Sequence, residues 1–462
     1  MGFCSRVVVR ENINSHGQKP MPNSLALLQC LAPAINPLTL RRLSRVIEGI
    51  LMMTGRVTMR GISRWTSESG SYRTIQRLFS TAISWEDVFW LFFHQHLFQS
   101  DDTYLLVGDE SVVTKSGKAT YGLDRFFSSI QGQVVKGVSF LTLSLVSLRD
   151  EHSYPIRVEQ VVRDKTKTAQ KKAVSAVHSG QPKKVGRPKG SKNRHKCDQP
   201  LSDEMCWLNQ LINKQIQQMK SALTLRYLVL DGHYGHYGTV QVAQQNHLFL
   251  VCKLRVDSAL HFLYQGSKKR QKYGDKINYD SLPVEYLKRT STEAQVQTQI
   301  YQMPMRHKEF AEVLNIVVIV KTNLKSGARA HAVLFSSDLE LVYDKVITYY
   351  SLRFQIEFNF RDAKQYWGLE DFMNVKKMNV TNAANLSLFM VNVAQVLLRE
   401  LHPNSPERSV LDLKAYYRGR KYVAETLKML MQKPDDNLVA QIFQKVAGLG
   451  AIHTAPIPAS SS

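Results

Sequence analysis

Asp109, Asp231 and Glu357 are the residues of this chain whose types and settings could do chemistry together. Asp109 closes an apolar strand candidate in LLVGDES, and Asp231 closes another in LVLDGHYG. A carboxylate at the end of a buried strand is held rigidly at the sheet edge, and the adjacent Gly108 and Gly232 leave room for a substrate backbone. Either aspartate alone also reads as a turn starter or a helix cap. Glu357 stands in YYSLRFQIEFNFRDAK with Tyr350, Arg353 and Lys364, at offsets of 3, 7 and 14 residues from the tyrosine. On one continuous helix these four side chains fall within about 60° of arc, a single narrow stripe. A carboxylate that can hold a divalent metal, flanked by groups suited to phosphate oxygens, is what a phosphodiester-cutting site needs. The same stretch also suits a solvated helix face with ion pairs one turn apart.

The elements that must position these groups follow from periodicity. Tyr104 to Val107 (YLLV), Val138 to Leu148 and Tyr154 to Val162 predict an antiparallel three-strand meander. A helix from Asp203 to Ala222, a strand from Leu225 to Leu230, a helix near Thr239 to Asn246 and a strand from Leu248 to Leu254 follow. Residues 255–330 read as a β-rich insertion, after which Ala330 to Phe335 returns to a strand and the helix carrying Glu357 begins. A meander ending its first strand in Asp, a later strand ending in Asp and a following helix bearing Glu is the order of the RNase H-like fold. Three such carboxylates can bind two Mg²⁺ ions about 3.5 to 4 Å apart, one activating the attacking oxygen and the other stabilising the leaving oxygen. The expected class is therefore α/β, with an RNase H-like core (101–254 and 331–378) built on a mixed five-stranded sheet. Residues 21–100 predict a helical DNA-binding domain and 379–455 a C-terminal helical region. Residues 1–20 and 456–462 read as a loose start and a disordered tail.

Charge points to the partner. The 462 residues hold 61 Lys plus Arg against 38 Asp plus Glu, a formal net charge of +23. Such an excess favours a polyanion, because each phosphate neutralised releases condensed counterions. Nucleic acid is the first candidate and an anionic membrane surface the second. The most apolar run, Val88 to Phe93, is far too short to span a bilayer. Five widely spaced cysteines without a CxxC suggest neither a disulfide framework nor a zinc site, hence a reducing cytoplasmic setting. Thr58 to Thr66 and Tyr72 to Phe79 resemble a helix-turn-helix with Arg73, Gln76 and Arg77 on its second helix, a pattern that a plain helical bundle with a basic rim shares. Residues 163–200 form a basic arm. Its GRPKGSKNR stretch resembles an AT-hook-like peptide and equally a basic linker. Lys183, Lys184, Arg187, Lys189, Lys192 and Arg194 are its DNA-binding candidates.

Tyr350, Arg353, Glu357 and Lys364 match the spacing Y-(2)-R-(3)-E-(6)-K of the bacterial insertion-sequence DDE transposases of the YREK group, the insertion-sequence-four-like family. DGHYG at Asp231 is similar to that family's second catalytic motif, and the resemblance covers roughly residues 40–400. It implies that Asp109, Asp231 and Glu357 are the metal ligands for two Mg²⁺, with Mn²⁺ able to substitute. It also implies that Tyr350, Arg353 and Lys364 grip phosphates near a transposon end. The implied activity is hydrolysis freeing a 3′-OH at each end, then attack of that hydroxyl on target DNA. The implied partners are double-stranded DNA and further copies of the chain in a synaptic complex, with no membrane and a nucleoid-associated bacterial location. Two features depart from the family. Relatives stack an aromatic residue, usually Trp, on a flipped base, but no Trp lies between Asp231 and Glu357; Tyr264, Tyr273, Tyr279, Tyr286 and Tyr301 are the alternatives. The basic arm is the other.

Glu110 adjoins Asp109 but faces the opposite way on a strand. His233 and His236 flank Asp231 as phosphate contacts or as ordinary turn residues. A non-catalytic DNA-binding regulator would keep the charge without needing all three carboxylates, and an RNase H-like nuclease would cut without strand transfer.

Overall fold

The computed structural model describes residues 24–66, 71–128, 131–163, 200–268, 271–401, 408–432, 434–447 and 449–453. The expected loose N-terminus, the disordered tail and nearly all of the basic arm, with its six candidate cations, lie outside these residues. The chain divides into two compact units, 1–97 with 392–462 and 98–391.

The first unit is helical. Its opening elements are α1 (Ser24–Leu27), α2 (Pro37–Met52), α3 (Met59–Trp65), α4 (Tyr72–Phe79) and α5 (Trp85–His96). Pro37 stands inside α2 rather than before it. It occupies the first turn, where its missing N–H costs nothing, and the Asn36 side chain caps that turn by accepting from Thr39 N–H at 2.8 Å. Thr58 and Ser71 cap α3 and α4 in the same way. On α4, Ile75, Leu78 and Phe79 are buried while Arg73, Gln76 and Arg77 are exposed. One face thus builds the core and the other is open to a partner.

The second unit is built on β1 (Tyr104–Thr114), β2 (Asp124–Ser128), β3 (Gln133–Ser147), β4 (His152–Val161), α6 (Asp203–Met219), β5 (Tyr227–Leu230), α7 (Tyr237–Gln245) and β6 (Phe249–Leu254). After these come β7 (Leu260–Leu263), β8 (Tyr273–Lys276), β9 (Leu287–Glu293), β10 (Val296–His307), β11 (Val313–Asn323) and β12 (Arg329–Ser336), then α8 (Tyr343–Leu352) and α9 (Gln355–Gln365). The predicted meander forms, β1 against β3 and β3 against β4, both antiparallel. β1, β5 and β6 then run parallel. Tyr104–Val107 and β5 are buried without alternation, as strands covered on both faces require.

The sheet does not stop at five strands. β12 pairs antiparallel with β6, and β11, β10 and β7 follow in turn, giving one twelve-stranded sheet among the described residues. The β-rich insertion therefore extends the sheet beyond β6. The physical reason is that an uncovered β6 edge would leave a row of unpaired N–H and C=O groups, which β12 satisfies.

A further helix is α10 (Lys377–Leu401). It is long and apolar enough to cross a membrane, yet 89% of its most apolar window is buried inside the protein, as in a core helix. α11 (Val410–Met429) and α12 (Asp436–Ala447) return to the helical unit. There Lys414 Nζ donates to the Ile50 carbonyl at 2.6 Å and Arg418 Nε to the Met52 carbonyl at 3.3 Å. Two basic side chains thus satisfy the open carbonyls at the C-terminus of α2, while burial lowers the Lys414 amine to about 7.

Candidate active site

The two aspartates meet because of strand register. β1 and β5 are parallel with Gly108 beside Leu230, so the next residues, Asp109 and Asp231, emerge at the same end of the pair. Asp109 does not end its strand as predicted. β1 continues to Thr114 because β3 pairs with it along its whole length, whereas β5 stops at Leu230. The carboxyl emerges where the parallel neighbour ends.

Beyond Asp231 the chain makes a short 3₁₀ turn, Gly232–Tyr234. A Cβ on Gly235 would come within 2.4 Å of the Lys253 carbonyl oxygen, so only glycine lets this loop lie flat on β6. Cys252 Sγ donates to the Asp231 carbonyl at 3.1 Å. The buried Tyr234 donates its hydroxyl to Glu110 Oε1 at 3.2 Å, and Ser139 Oγ donates to Glu110 Oε2 at 3.0 Å. Glu110 is thereby engaged away from the Asp109 carboxyl, as strand alternation requires. Tyr234 was not among the residues singled out in the sequence. Its signal was an aromatic residue inside a Gly-rich turn, where a buried ring ties the loop to the sheet.

Tyr350, Arg353, Glu357 and Lys364 do not share one continuous helix. α8 ends at Leu352 and α9 starts at Gln355, while Arg353 and Phe354 keep right-handed dihedrals. At the junction the bonds tighten to a three-residue span, Ile356 N–H to Arg353 O at 3.1 Å and Glu357 N–H to Phe354 O at 3.0 Å. The overwound junction still brings Tyr350, Arg353 and Glu357 to one place. It puts Glu357 in the first turn of α9, where the helix dipole favours a carboxylate. Lys364 lies two turns further along α9, about 10 Å along the axis. There Nζ donates to the Val112 carbonyl at 3.2 Å and stands 3.8 Å from Glu370 Oε1, so Lys364 is outside the carboxylate cluster. Asn359 fixes α9 to the sheet from below. Its Nδ2 donates to Ser153 Oγ at 2.8 Å and to Ser144 Oγ at 3.4 Å, all three residues being buried.

The three carboxylates converge on one guanidinium. Arg353 Nη1 is 3.2 Å from Asp109 Oδ2, and its Nη2 is 3.3 Å from Glu357 Oε1 and 3.7 Å from Asp231 Oδ1. Arg353 lies over the Tyr350 ring at 5.6 Å, and the Tyr350 hydroxyl donates to Asp231 Oδ1 at 3.4 Å. The Arg353 side chain is only 11% exposed, whereas those of Asp231 and Glu357 are 46% and 43% exposed. The cluster is closed beneath and open on the side from which a substrate would arrive. Burial raises the Tyr350 phenol well above its ordinary range, so it is a hydrogen-bond donor near neutrality. Near Asp231, His233 pairs with Glu204 at 3.8 Å, which holds its imidazole above the ordinary value. Burial lowers that of His236.

Burial also pushes the Asp109 carboxyl up to about 6, against the pull of Arg353 and of the Glu110 N–H. A folded value above the unfolded one means that the native state binds more protons. Stability present below about pH 4 is therefore lost as the pH rises through about 6. Asp109→Asn removes this dependence. It is expected to stabilise the metal-free protein by about 3 kcal/mol at pH 7 and by nothing at pH 4. Urea unfolding of both proteins at the two pH values measures it, and an equal effect at both would refute the assignment.

Three carboxylates are the oxygen donors that a hard divalent cation takes. Among the described residues, however, no three His, Cys, Asp or Glu side chains stand close enough together to hold a metal ion; Asp109, Asp231 and Glu357 each face Arg353 instead. Of the tyrosines that could stack on a base, Tyr301 is buried in β10, Tyr279 stacks on His331 at 4.1 Å and Tyr286 on Phe262 at 5.8 Å. Tyr273 meets His261 edge-on at 5.6 Å.

Comparison with curated proteins finds no match. Residues 30–309 match the family described as DDE superfamily endonuclease, a span that contains Asp109 and Asp231 and stops before Glu357. With more than half of the sequence inside that match, and a large mixed sheet flanked by helices that fits a DDE or RNase H-like core, the chain belongs to the DDE superfamily endonucleases.

Proposed function

We propose that this endonuclease is a transposase of the YREK group, which binds the inverted repeats of an insertion sequence, cleaves its ends and joins the 3′-OH ends to target DNA. The observation that carries the reading is the convergence of Asp109, Asp231 and Glu357 with Arg353 and Tyr350 at the open end of the β1–β5 pair. Members of the superfamily use divalent metals and act on DNA. Asp109, Asp231 and Glu357 are the residues that would hold two Mg²⁺, or Mn²⁺ in their place. When bound, the pair supplies charge stabilisation to the attacking and leaving oxygens. The protein's own residues bind and orient. Arg353 offers a planar fork to a phosphate beside the scissile bond, and Tyr350 donates a hydrogen bond from its protonated phenol. Lys364 supplies a point charge further along α9. Arg73, Gln76 and Arg77 on the exposed face of α4 contact the transposon end. Lys183, Lys184, Arg187, Lys189, Lys192 and Arg194 add a sequence-tolerant grip on the duplex. In this reading the synaptic complex holds at least two copies of the chain, on the nucleoid.

The test uses the purified protein, Mg²⁺ and a plasmid carrying the DNA that flanks its gene. Free 3′-OH ends at the inverted repeats, followed by joined products, are the expected result. Nicks without joining would favour a nuclease without strand transfer, and tight end binding without any cleavage would favour a regulator.

A further inference from the structure

We propose that Arg353 is an internal lock on the carboxylate cluster, so that a divalent cation enters only when the guanidinium exchanges its carboxylates for a phosphate of bound DNA. The inference rests on the reading of Asp109, Asp231 and Glu357 as a metal site. It adds that metal competes with the guanidinium for the acids and therefore cooperates with DNA through that one side chain.

The distances decide which cation the cluster is sized for. Octahedral Mg²⁺ holds its oxygens at about 2.1 Å. The oxygens of Asp109, Glu357 and Asp231 stand 3.2, 3.3 and 3.7 Å from guanidinium nitrogens, spread around a planar group much larger than the ion. They cannot close on a shared ion while Arg353 remains between them. The lock is also built to release. Arg353 holds the acids only through its two terminal nitrogens, since its Nε is buried and makes no hydrogen bond. Its residue occupies the overwound junction between α8 and α9, a place where small backbone changes re-aim a side chain. Two of its three acids are nearly half exposed, so a phosphate arriving from solvent meets Nη2 first.

Charge sets the direction of the coupling. One guanidinium faces three carboxylates, which leaves the cluster short of positive charge. Once Arg353 turns to a phosphate, the acids are uncompensated and their affinity for a divalent cation rises. By linkage, metal must then raise the affinity for DNA by the same factor.

The experiment measures Mn²⁺ binding by electron paramagnetic resonance on the full chain without DNA, comparing the natural protein with Arg353→Gln, Arg353→Lys and Asp231→Asn. The lock predicts at least about tenfold tighter binding for Arg353→Gln. Arg353→Lys, which keeps a charge but not the fork, should lie between. Circular dichroism establishes that each variant is folded. A second measurement needs no Arg353 variant. A duplex carrying the inverted repeat should tighten Mn²⁺ binding to the natural protein at least about tenfold, with Asp231→Asn as the blank for ions held by the duplex. Equal or weaker binding by folded Arg353→Gln, or no effect of the duplex, would overturn the lock while leaving the metal site standing if Asp231→Asn has lost it. Binding that is indifferent to Asp231→Asn would overturn both the lock and the metal-site reading.

Discussion

Asp231→Ala is expected to abolish cleavage at the proposed transposon end, lowering its rate by about three orders of magnitude or more, and to leave affinity for the duplex, measured without divalent cations, within about twofold. The asymmetry follows from where Asp231 stands. It lies just past the end of β5 with a side chain nearly half exposed, so no buried packing is lost with it. What is lost is a carboxylate that Arg353 and Tyr350 both contact. The DNA contacts proposed on α4 and the basic arm are elsewhere in the chain. Cleavage of an end-labelled duplex and fluorescence anisotropy of the same duplex measure the two quantities. Near-normal cleavage would remove Asp231 from the site, and a parallel collapse of binding would make it a structural residue.

Trp367→Ala should cost about 3–5 kcal/mol, a large share of the stability of an ordinary domain. Trp367 is 1% exposed and is the largest of the fully buried side chains. It follows α9 directly, where Gly368 takes a φ of +85° and Leu369 N–H returns to the Ala363 carbonyl at 2.9 Å. Ser387 Oγ on α10 donates to the Trp367 carbonyl at 2.9 Å. These backbone bonds survive the substitution, so the cost is that of emptying the buried indole site just past the helix that carries Glu357. Denaturant unfolding followed by circular dichroism gives the cost. A change below about 1 kcal/mol would mean that α9 is held by Asn359 and its serine partners alone.

The elements near the site were legible where burial dictates composition. YLLV and LVL are unbroken apolar runs because β1 and β5 are covered on both faces, and the capping residues of α3 and α4 mark their starts in the sequence. Three things were hidden. The end of β1 depended on β3, whose Gly137 pairs with Thr114 from 23 residues downstream, and strand length is set by pairing as much as by composition. The junction at Arg353 and Phe354 keeps helical dihedrals and changes only the hydrogen-bond span, which side-chain periodicity does not record. The role of Arg353 was half read. Spacing put it beside Glu357, but no one-dimensional pattern shows that the same guanidinium reaches Asp109 and Asp231. The continuation of the sheet past β6 was missed because Ala330 to Phe335 looks the same in sequence whether it pairs parallel or antiparallel.

On the proposed reading of the site, the parallel register of β1 and β5 also bears on when the chain becomes able to cut DNA. Joining those strands closes a loop of more than a hundred residues, and bringing Arg353 to Asp109 closes one of 244. Loop closure on this scale is slow, and its entropy is lost before the contacts reward it. During synthesis, a nascent chain exposes its two aspartates long before the ribosome has delivered Glu357. On that reading, a chain that ends before α9 lacks one of the three carboxylates, so the centre is completed late in synthesis.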